Sequence, residues 1–591
     1  MITTQETPRP ARGSRVLLSL AAVAVAFAAA DTYVVVLALP SMMGSVGLSI
    51  DQLQRAAPIV SGFLLGYVAM LPLIGRIADL RGRLPVLVAA LVTFAFGSLV
   101  TASAYDLGSL VVGRFLQGVG GGGLVPVTLA LVADLYPAER RGVPLGVVGA
   151  VQELGSVLGP LYGALVLVVG TWRDIFWINL AAGLALAAAV AAVGRRGRTR
   201  KPRRRVDVPG IALLALFVSG LLLVMRQPTS LVTSVSWGGP FVPFSPGTSV
   251  WWSPLGLTTA GLGVAFVAWQ LNASHPLADL RGWFVSIRQA DLLGAMLLAV
   301  ALAGVILAFA TANPQVQVLS PAGPWYLLVA AIGAALFVVH NRRAAAPLVP
   351  PGALGRRPAW GALVVSFFVG AALIAALVDI PIFARVSIYS TSQVKAALVL
   401  VEFLVALPAG ALVGGWLTRR VPSGVLAAAG MACAAVGFWL MSRWGLDTLH
   451  HLSASLTLVL AGWGFGLALA PVNAALLAST DADVHGVSSA LLVVARMIGM
   501  LVGISALTTI GLRRYYTVQS GIPSPNQVCG GISTRCPAYT RLLQLAGVEQ
   551  LQAIFLGAGI CAALAGAVAL LLFRGAATTS ASALELIRAG G

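Results

Sequence analysis

Charge is scarce in this 591-residue chain: 10% of its residues are Asp, Glu, Lys or Arg, against 58% hydrophobic. A soluble globular chain carries about 25% charged residues, so that class is excluded. Apolar runs of about 20 residues recur instead, each long enough to cross roughly 30 Å of hydrocarbon. They do not alternate apolar with polar residues, which excludes a transmembrane β-barrel. Lysine is nearly missing: Lys201 and Lys395 are the two copies. Neither stands in a Gly-x-x-x-x-Gly-Lys-Ser/Thr loop, which excludes a built-in P-loop ATPase. Cysteine occurs four times. Cys433 and Cys561 fall inside apolar runs and read as packing residues, and no histidine completes a metal set around Cys529 and Cys536. The reading is therefore a membrane protein that is not an enzyme and needs no cofactor or metal. All five histidines (His275, His340, His450, His451 and His485) fall near the ends of apolar runs, so any proton handling at mid-membrane rests with carboxylates.

The net charge of +19 does not mark a nucleic-acid partner. Lys and Arg make up most of the stretch from Arg195 to Arg205, and other arginines sit at Arg76, Arg140, Arg141, Arg342, Arg343, Arg356, Arg357, Arg419 and Arg420. All lie between apolar runs, where the positive-inside bias puts cytoplasmic loops. The runs are 16–40, 58–78, 84–104, 108–134, 142–168 and 174–194, then 208–226, 254–272, 287–311 and 322–341, then 358–385, 393–417, 423–443, 453–478, 485–513 and 550–574. This arrangement of six, four and six predicts sixteen spans with both termini cytoplasmic; a re-entrant middle pair would make fourteen. The expected units are an N-terminal bundle over 1–194, a basic linker with four linker helices over 195–357, and a C-terminal bundle over 358–591. The first run begins like a secretory signal but continues through "YVVVLALP" and is kept as a helix. The middle hairpins end in similar polar turns, "HPLADLRGWF" and "APLVPPGALGRR", as if one were a copy of the other. An outer loop over 227–253 is rich in Trp and Phe. A second, over 514–549, carries Cys529 and Cys536. Its position outside permits oxidation, and two intervening glycines allow closure, so a disulfide is expected.

Several ionisable residues interrupt the apolar runs. Glu153 and Arg496 each lie about eleven residues from the cytoplasmic end of their run, near mid-bilayer, and Asp31 is also central. Each costs on the order of 2.5–3.5 kcal/mol at the centre if unpaired, so pairing of Arg496 with Asp31 or Glu153 is expected. Arg114 lies in the outer third, where it can organise helix packing. Asp379 lies about six residues from the outer end of its run, and Glu402 also sits in apolar territory. Gly155, Gly159 and Gly163 recur every four residues as a smooth stripe for a neighbouring helix, followed at the middle glycine by Pro160. Glu153 points about 200° away from that stripe.

The loop "GRIADLRGRLPVL" carries Gly75 for a tight turn, Asp79 to cap a helix start, and Arg81 and Arg83, either side of Gly82, to pair with carboxylates of a neighbouring domain. With "GRFLQGVGGGGLVPVTLA" and the Gly-rich fifth run, it resembles the major facilitator superfamily, in its larger drug:proton antiporter branch. "ADTYVVV", "VQELGSVLGPLYG", "WRDIFWIN", "LVDIPIF" and "VVARMIGMLVGISAL" are similar to the lipid-exporting mycobacterial members of that branch, which handle triacylglyceride beside a lipid-binding lipoprotein. The resemblance implies two six-helix bundles, with export of a lipid from the inner membrane toward the periplasm by proton-coupled alternating access. Asp31, Glu153, Arg496, Asp379 and Arg114 are the candidate coupling residues. Lateral access is expected at a seam shared by the fifth helix and the helix carrying Arg496. A multidrug:proton antiporter for amphipathic cations is the alternative.

Overall fold

The computed structural model describes residues 12–48, 53–196, 207–245, 247–310, 320–350, 352–389, 393–530, 536–576 and 578, and every regular element among them is helical. The N-terminal bundle consists of α1 (Arg12–Ser45), α2 (Leu53–Ala69), α3 (Leu71–Arg81), α4 (Arg83–Ala102), α5 (Leu107–Leu135), α6 (Gly142–Val169) and α7 (Trp172–Arg196). The middle segment holds α8 (Val208–Arg226), α9 (Thr229–Val232), α10 (Pro254–Asn272), α11 (Leu280–Gln289), α12 (Leu292–Ala310) and α13 (Gly323–Arg343). The C-terminal bundle follows as α14 (Arg357–Ser387), α15 (Gln393–Leu417), α16 (Ser423–Met441), α17 (Leu452–Ala478), α18 (His485–Ser520), α19 (Pro525–Val528) and α20 (Pro537–Leu572). Among the described residues, 15 helical stretches are long and apolar enough to cross a membrane. The apolar α6, 28 residues long, lies lengthwise against α1 beside them. One crossing, Pro58–Arg81, comprises both α2 and α3, broken at Met70 where Pro72 enters the first turn of α3 and removes a backbone donor. All four long middle helices are of spanning length.

Helices in hydrocarbon gain little from burying apolar surface on one another, so they associate through close packing at small residues. The Gly155, Gly159 and Gly163 stripe does this within the N-terminal bundle. Gly155 and Gly159 rest on the backbone of Ala26 and Ala30, and Gly163 on Val34, all of α1. This corrects the expectation that the stripe borders a seam between bundles. α18 repeats the arrangement: Gly499 rests on Phe367 and Gly503 on Ala371, both of α14. A shift of 341 positions takes Ala26 to Phe367, Ala30 to Ala371, and the in-helix Pro40 to the in-helix Pro381. The two bundles are copies of one packing scheme.

The middle hairpins are also copies. Asp207 caps α8 by accepting from the Gly210 N–H at 2.9 Å, and closes the α8–α10 hairpin by accepting from Trp269 Nε1 (2.9 Å), Gln270 Nε2 (2.8 Å) and the Leu277 N–H (3.1 Å). The indole bond, with the amide and backbone bonds, holds its carboxyl below the usual range. In the α12–α13 hairpin Asp291 accepts from the Gly294 N–H (3.0 Å) and the Leu348 N–H (3.1 Å), and His340 Nε2 stands 2.7 Å away in the place of the indole. α8 docks on the outer flank of the N-terminal bundle, where Leu221 and Met225 meet Leu99 and Val100. α12 instead lies along α2 and α18, across a boundary between bundles. Beyond the bundles, α18 and α20, 36 residues each, are clamped by Arg514 and Glu549 at 2.7 Å, and Cys529 and Cys536 are joined by a disulfide.

Gly159→Ala is expected to lower stability by about 1–3 kcal/mol, because the new methyl meets the Ala30 carbonyl. Gly149→Ala, which would meet only the Leu469 side chain at 3.6 Å, should change it by less than about 0.5 kcal/mol. Thermal unfolding in detergent reads both; equal stabilities would refute the packing argument.

Candidate functional site: a gated cavity between the bundles

The bundles meet at one end through the α3–α4 turn. Gly82 makes that turn with φ +92°, a conformation open to glycine at little cost. The turn aims Asp79 and Arg83 at the start of α18. Asp79 accepts from the backbone N–H groups of Gly486 (2.8 Å) and Val487 (3.0 Å), and is ion-paired with Arg83. A carboxylate there meets unsatisfied donors and the positive end of the helix dipole. Arg83 also reaches Asp134 (3.3 Å) and the Ala482 carbonyl (3.2 Å). Gly75 lies backbone to backbone against Gly486. On the opposite side, Gly142 and Gly146 of α6 rest on Gly415 and Ala411 of α15, and Arg141 donates to the Leu477 carbonyl at 3.3 Å. Together these contacts shut that side.

Above this closure lies a cavity of about 350 Å³ walled by α1, α2, α5, α6, α14 and α18. Val60, Phe63 and Leu64 of α2 and Met497, Met500 and Ile504 of α18 line it. Glu153, Gln152 and Ser156 come from α6, Arg496 from α18 and Arg114 from α5. Glu153 and Arg496 are within Coulombic reach of each other, and both are largely buried. α6 and α18 thus share the cavity but border different seams, α6 with α15 and α18 with α3. The expectation of a single shared seam is corrected: the pseudo-repeat places equivalent helices on opposite sides of the molecule.

Asp31 is not the partner of Arg496. Arg114, 1% exposed, donates to Asp31 Oδ2 at 2.8 Å, and Asn179 donates to Asp31 Oδ1 at 2.5 Å. Gln117 accepts from Arg114 at 2.9 Å and donates to Ser98 at 2.8 Å, and Thr101 donates to Gln117 at 3.2 Å. The guanidinium also lies 4.3 Å from the Phe63 ring centre. A buried ion pair is tolerable only when hydrogen bonds support it, and this network supplies them within one bundle, leaving Arg114 Nε without a partner among the described residues. Asn179 and Gln117 carried no sequence signal beyond being polar in apolar runs. Asp379 is buried on α14 outside the cavity lining, with no ion pair among the described residues, and Glu402 is exposed on the outer face of α15. Arg81 does not reach the C-terminal bundle; it pairs with Asp279 of the linker at 2.6 Å. Pro160 lies in α6, with its side chain outside the described residues. No cluster fit to hold a metal occurs among the described residues.

Two pseudo-repeated bundles, shut on one side and enclosing an internal cavity between them, define a multi-pass membrane transporter. Residues 21–341 match the Major Facilitator Superfamily, and the chain belongs to it. It is similar to a triacylglyceride transporter of Mycolicibacterium hassiacum, with 37% identity covering 86% of this chain and 81% of the relative. A triacylglyceride transporter of Mycobacterium tuberculosis is 35% identical over 90% and 88%, and a probable one of Mycobacterium leprae 33% identical over 92% and 91%. Among solved structures, a human organic anion transporter shares the fold, with TM-score 0.51 and 13% identity over 94% of this chain and 99% of that one.

Arg114→Gln should cost about 3–5 kcal/mol, because it strands the Asp31 carboxylate. The double variant Asp31→Asn with Arg114→Gln should recover much of that loss, a non-additivity measurable by thermal unfolding of all four proteins. Strict additivity would show that the pair is not coupled.

Proposed function

We propose that the protein is a secondary active exporter that moves a lipid, triacylglyceride-like, from the inner membrane toward the periplasm by proton-coupled alternating access. It sits in the inner membrane as sixteen spanning helices with both termini cytoplasmic. It hands its cargo to a periplasmic lipid-binding lipoprotein, and performs no catalysis. The observation that carries this reading is the charge balance of a largely apolar cavity. Arg496 lies within Coulombic reach of Glu153, and Arg114 is held by Asp31, so no carboxylate is left as counter-charge for a cation. An amphipathic cation would need one; a neutral lipid needs only the apolar walls. The cavity is within the range that suits drug-sized ligands, so a multi-tailed lipid leaves part of its tails in the bilayer. They would pass between α2 and α18, beneath α12.

Coupling follows from what α18 carries. Its first turn is held by Asp79, and Arg496 stands ten positions beyond Gly486, roughly 15 Å up the same helix. Protonation of Glu153 removes the charge that attracts Arg496 and changes the force on α18. The two states shift in population because their proton affinities differ. A proton crossing the full potential adds roughly 2.3 kcal/mol per 100 mV. Asp31 with Arg114, confined to one bundle, keeps the cavity wall in shape, and Asp379 is a second site of protonation in the C-terminal bundle. The drug:proton antiporter reading predicts the opposite charge preference.

Glu153→Gln is expected to abolish transport of a labelled triacylglyceride driven by a pH gradient in proteoliposomes, at least about a hundredfold, while thermal stability stays within about 1 kcal/mol. Wild-type transport by the folded Gln variant would remove Glu153 from the coupling path. Efflux of a lipophilic cation with no lipid transport by the wild type would favour the antiporter.

A further inference from the structure

Between the two linker hairpins lies α11, a ten-residue amphipathic helix that belongs to neither. One face is buried. Ser286 and Ala290 are covered, and Trp283 and Ile287 pack against the core of the N-terminal bundle. Arg81 of α3 grips this side: it reaches Asp279 Oδ2 at 2.6 Å and Ser286 Oγ at 3.4 Å, and its guanidinium lies 4.7 Å from the Trp283 ring centre. The other face is bare. Arg281, Phe284, Val285 and Arg288 are all exposed, Phe284 at 65% and Val285 at 52%. Their spacing places them within about 100° of one another around the helix. No acidic residue occurs between Leu280 and Gln289. The helix follows α10 after a short turn and precedes α12 by two residues. Two membrane-spanning helices therefore pin it at the bilayer surface, on the side of Arg81 and the closed gate.

An apolar pair flanked by arginines, held in the plane of a membrane surface, matches the chemistry of the boundary between headgroups and acyl chains. Phe284 and Val285 reach the hydrocarbon, and the two guanidiniums meet phosphates. We propose that this face of α11 binds anionic phospholipid of the cytoplasmic leaflet, and that Arg81 transmits the occupancy to the gate. The transmission is short: α3 carries Asp79, which holds the start of α18, two positions before Arg81, which holds α11. Lipid that draws α11 toward the membrane biases the position of α3 and so the closure of the cytoplasmic side. The coupling rests on the gated-transporter reading; the binding does not.

The test uses the full-length protein in phosphatidylcholine bilayers with and without phosphatidylglycerol. Native mass spectrometry should find phosphatidylglycerol enriched on the wild type. In Arg281→Gln with Arg288→Gln that enrichment should fall by roughly tenfold or more, since each surface arginine contributes about 1 kcal/mol toward an anionic leaflet. Equal enrichment on both proteins overturns the site. A spin label at Phe284→Cys, with Cys433 and Cys561 replaced by Ser, should be relaxed by oxygen in the bilayer rather than by an aqueous nickel reagent. A water-exposed label overturns the membrane as occupant and points to a cytoplasmic protein. For the coupling, phosphatidylglycerol should shorten the distance between labels on α3 and α18. Asp279→Asn should keep the enrichment and lose that shortening. No lipid effect on the distance in the wild type, or an undiminished one in Asp279→Asn, overturns the coupling. None of these readouts involves the transported substrate, so they fail or succeed independently of the exporter reading.

Discussion

The architecture depends on how closely two helix backbones approach in a solvent that does not push them together. Lipid chains solvate leucine as well as another helix does, so association comes from contact at small residues. The molecule uses this at two strengths. Inside each bundle the small residues form stripes, Gly155 to Gly163 on α1 and Gly499 to Gly503 on α14, and the helices are committed along their length. Between bundles the same contact gathers at one end, Gly75 on Gly486 and Gly142 on Gly415. Two rigid bodies joined by short, local seams are the mechanical requirement for rocking about a central site.

Buried charge follows the same division. Asp31 and Arg114 belong to one bundle and are surrounded by Asn179, Gln117 and Ser98. Relative motion of the bundles leaves every one of those bonds intact. Glu153 and Arg496 belong to different bundles and both line the cavity. The same residue types therefore lie within one bundle in one place and on both bundles in the other. The difference is which helices carry them.

The linker is built from a repeated part put to two uses. The Asp207 and Asp291 hairpins share their capping and their closing bonds, yet α8 lies on the flank of one bundle and α12 along the boundary between two. Arg81 adds a third attachment by binding α11 instead of the opposite bundle. The closed side is consequently tied to the linker through the α3–α4 turn.

Composition and run length alone established the membrane and the helical class, because spanning segments must be apolar and must satisfy their backbone internally. They also singled out Asp31, Arg114, Glu153 and Arg496, because a charge in hydrocarbon is costly enough to stand out. The orientation of Glu153 away from the glycine stripe followed from helical periodicity. What a single chain could not carry was partner choice. Arg114 and Asp31 are 83 positions apart, and Asn179 lies 148 positions from Asp31; nothing local in any of these segments encodes the others. The stripe announced close packing but not that α1 is what it packs on. Whether a mid-membrane charge braces one bundle or bridges two depends on which helices meet, and only the tertiary arrangement decides that.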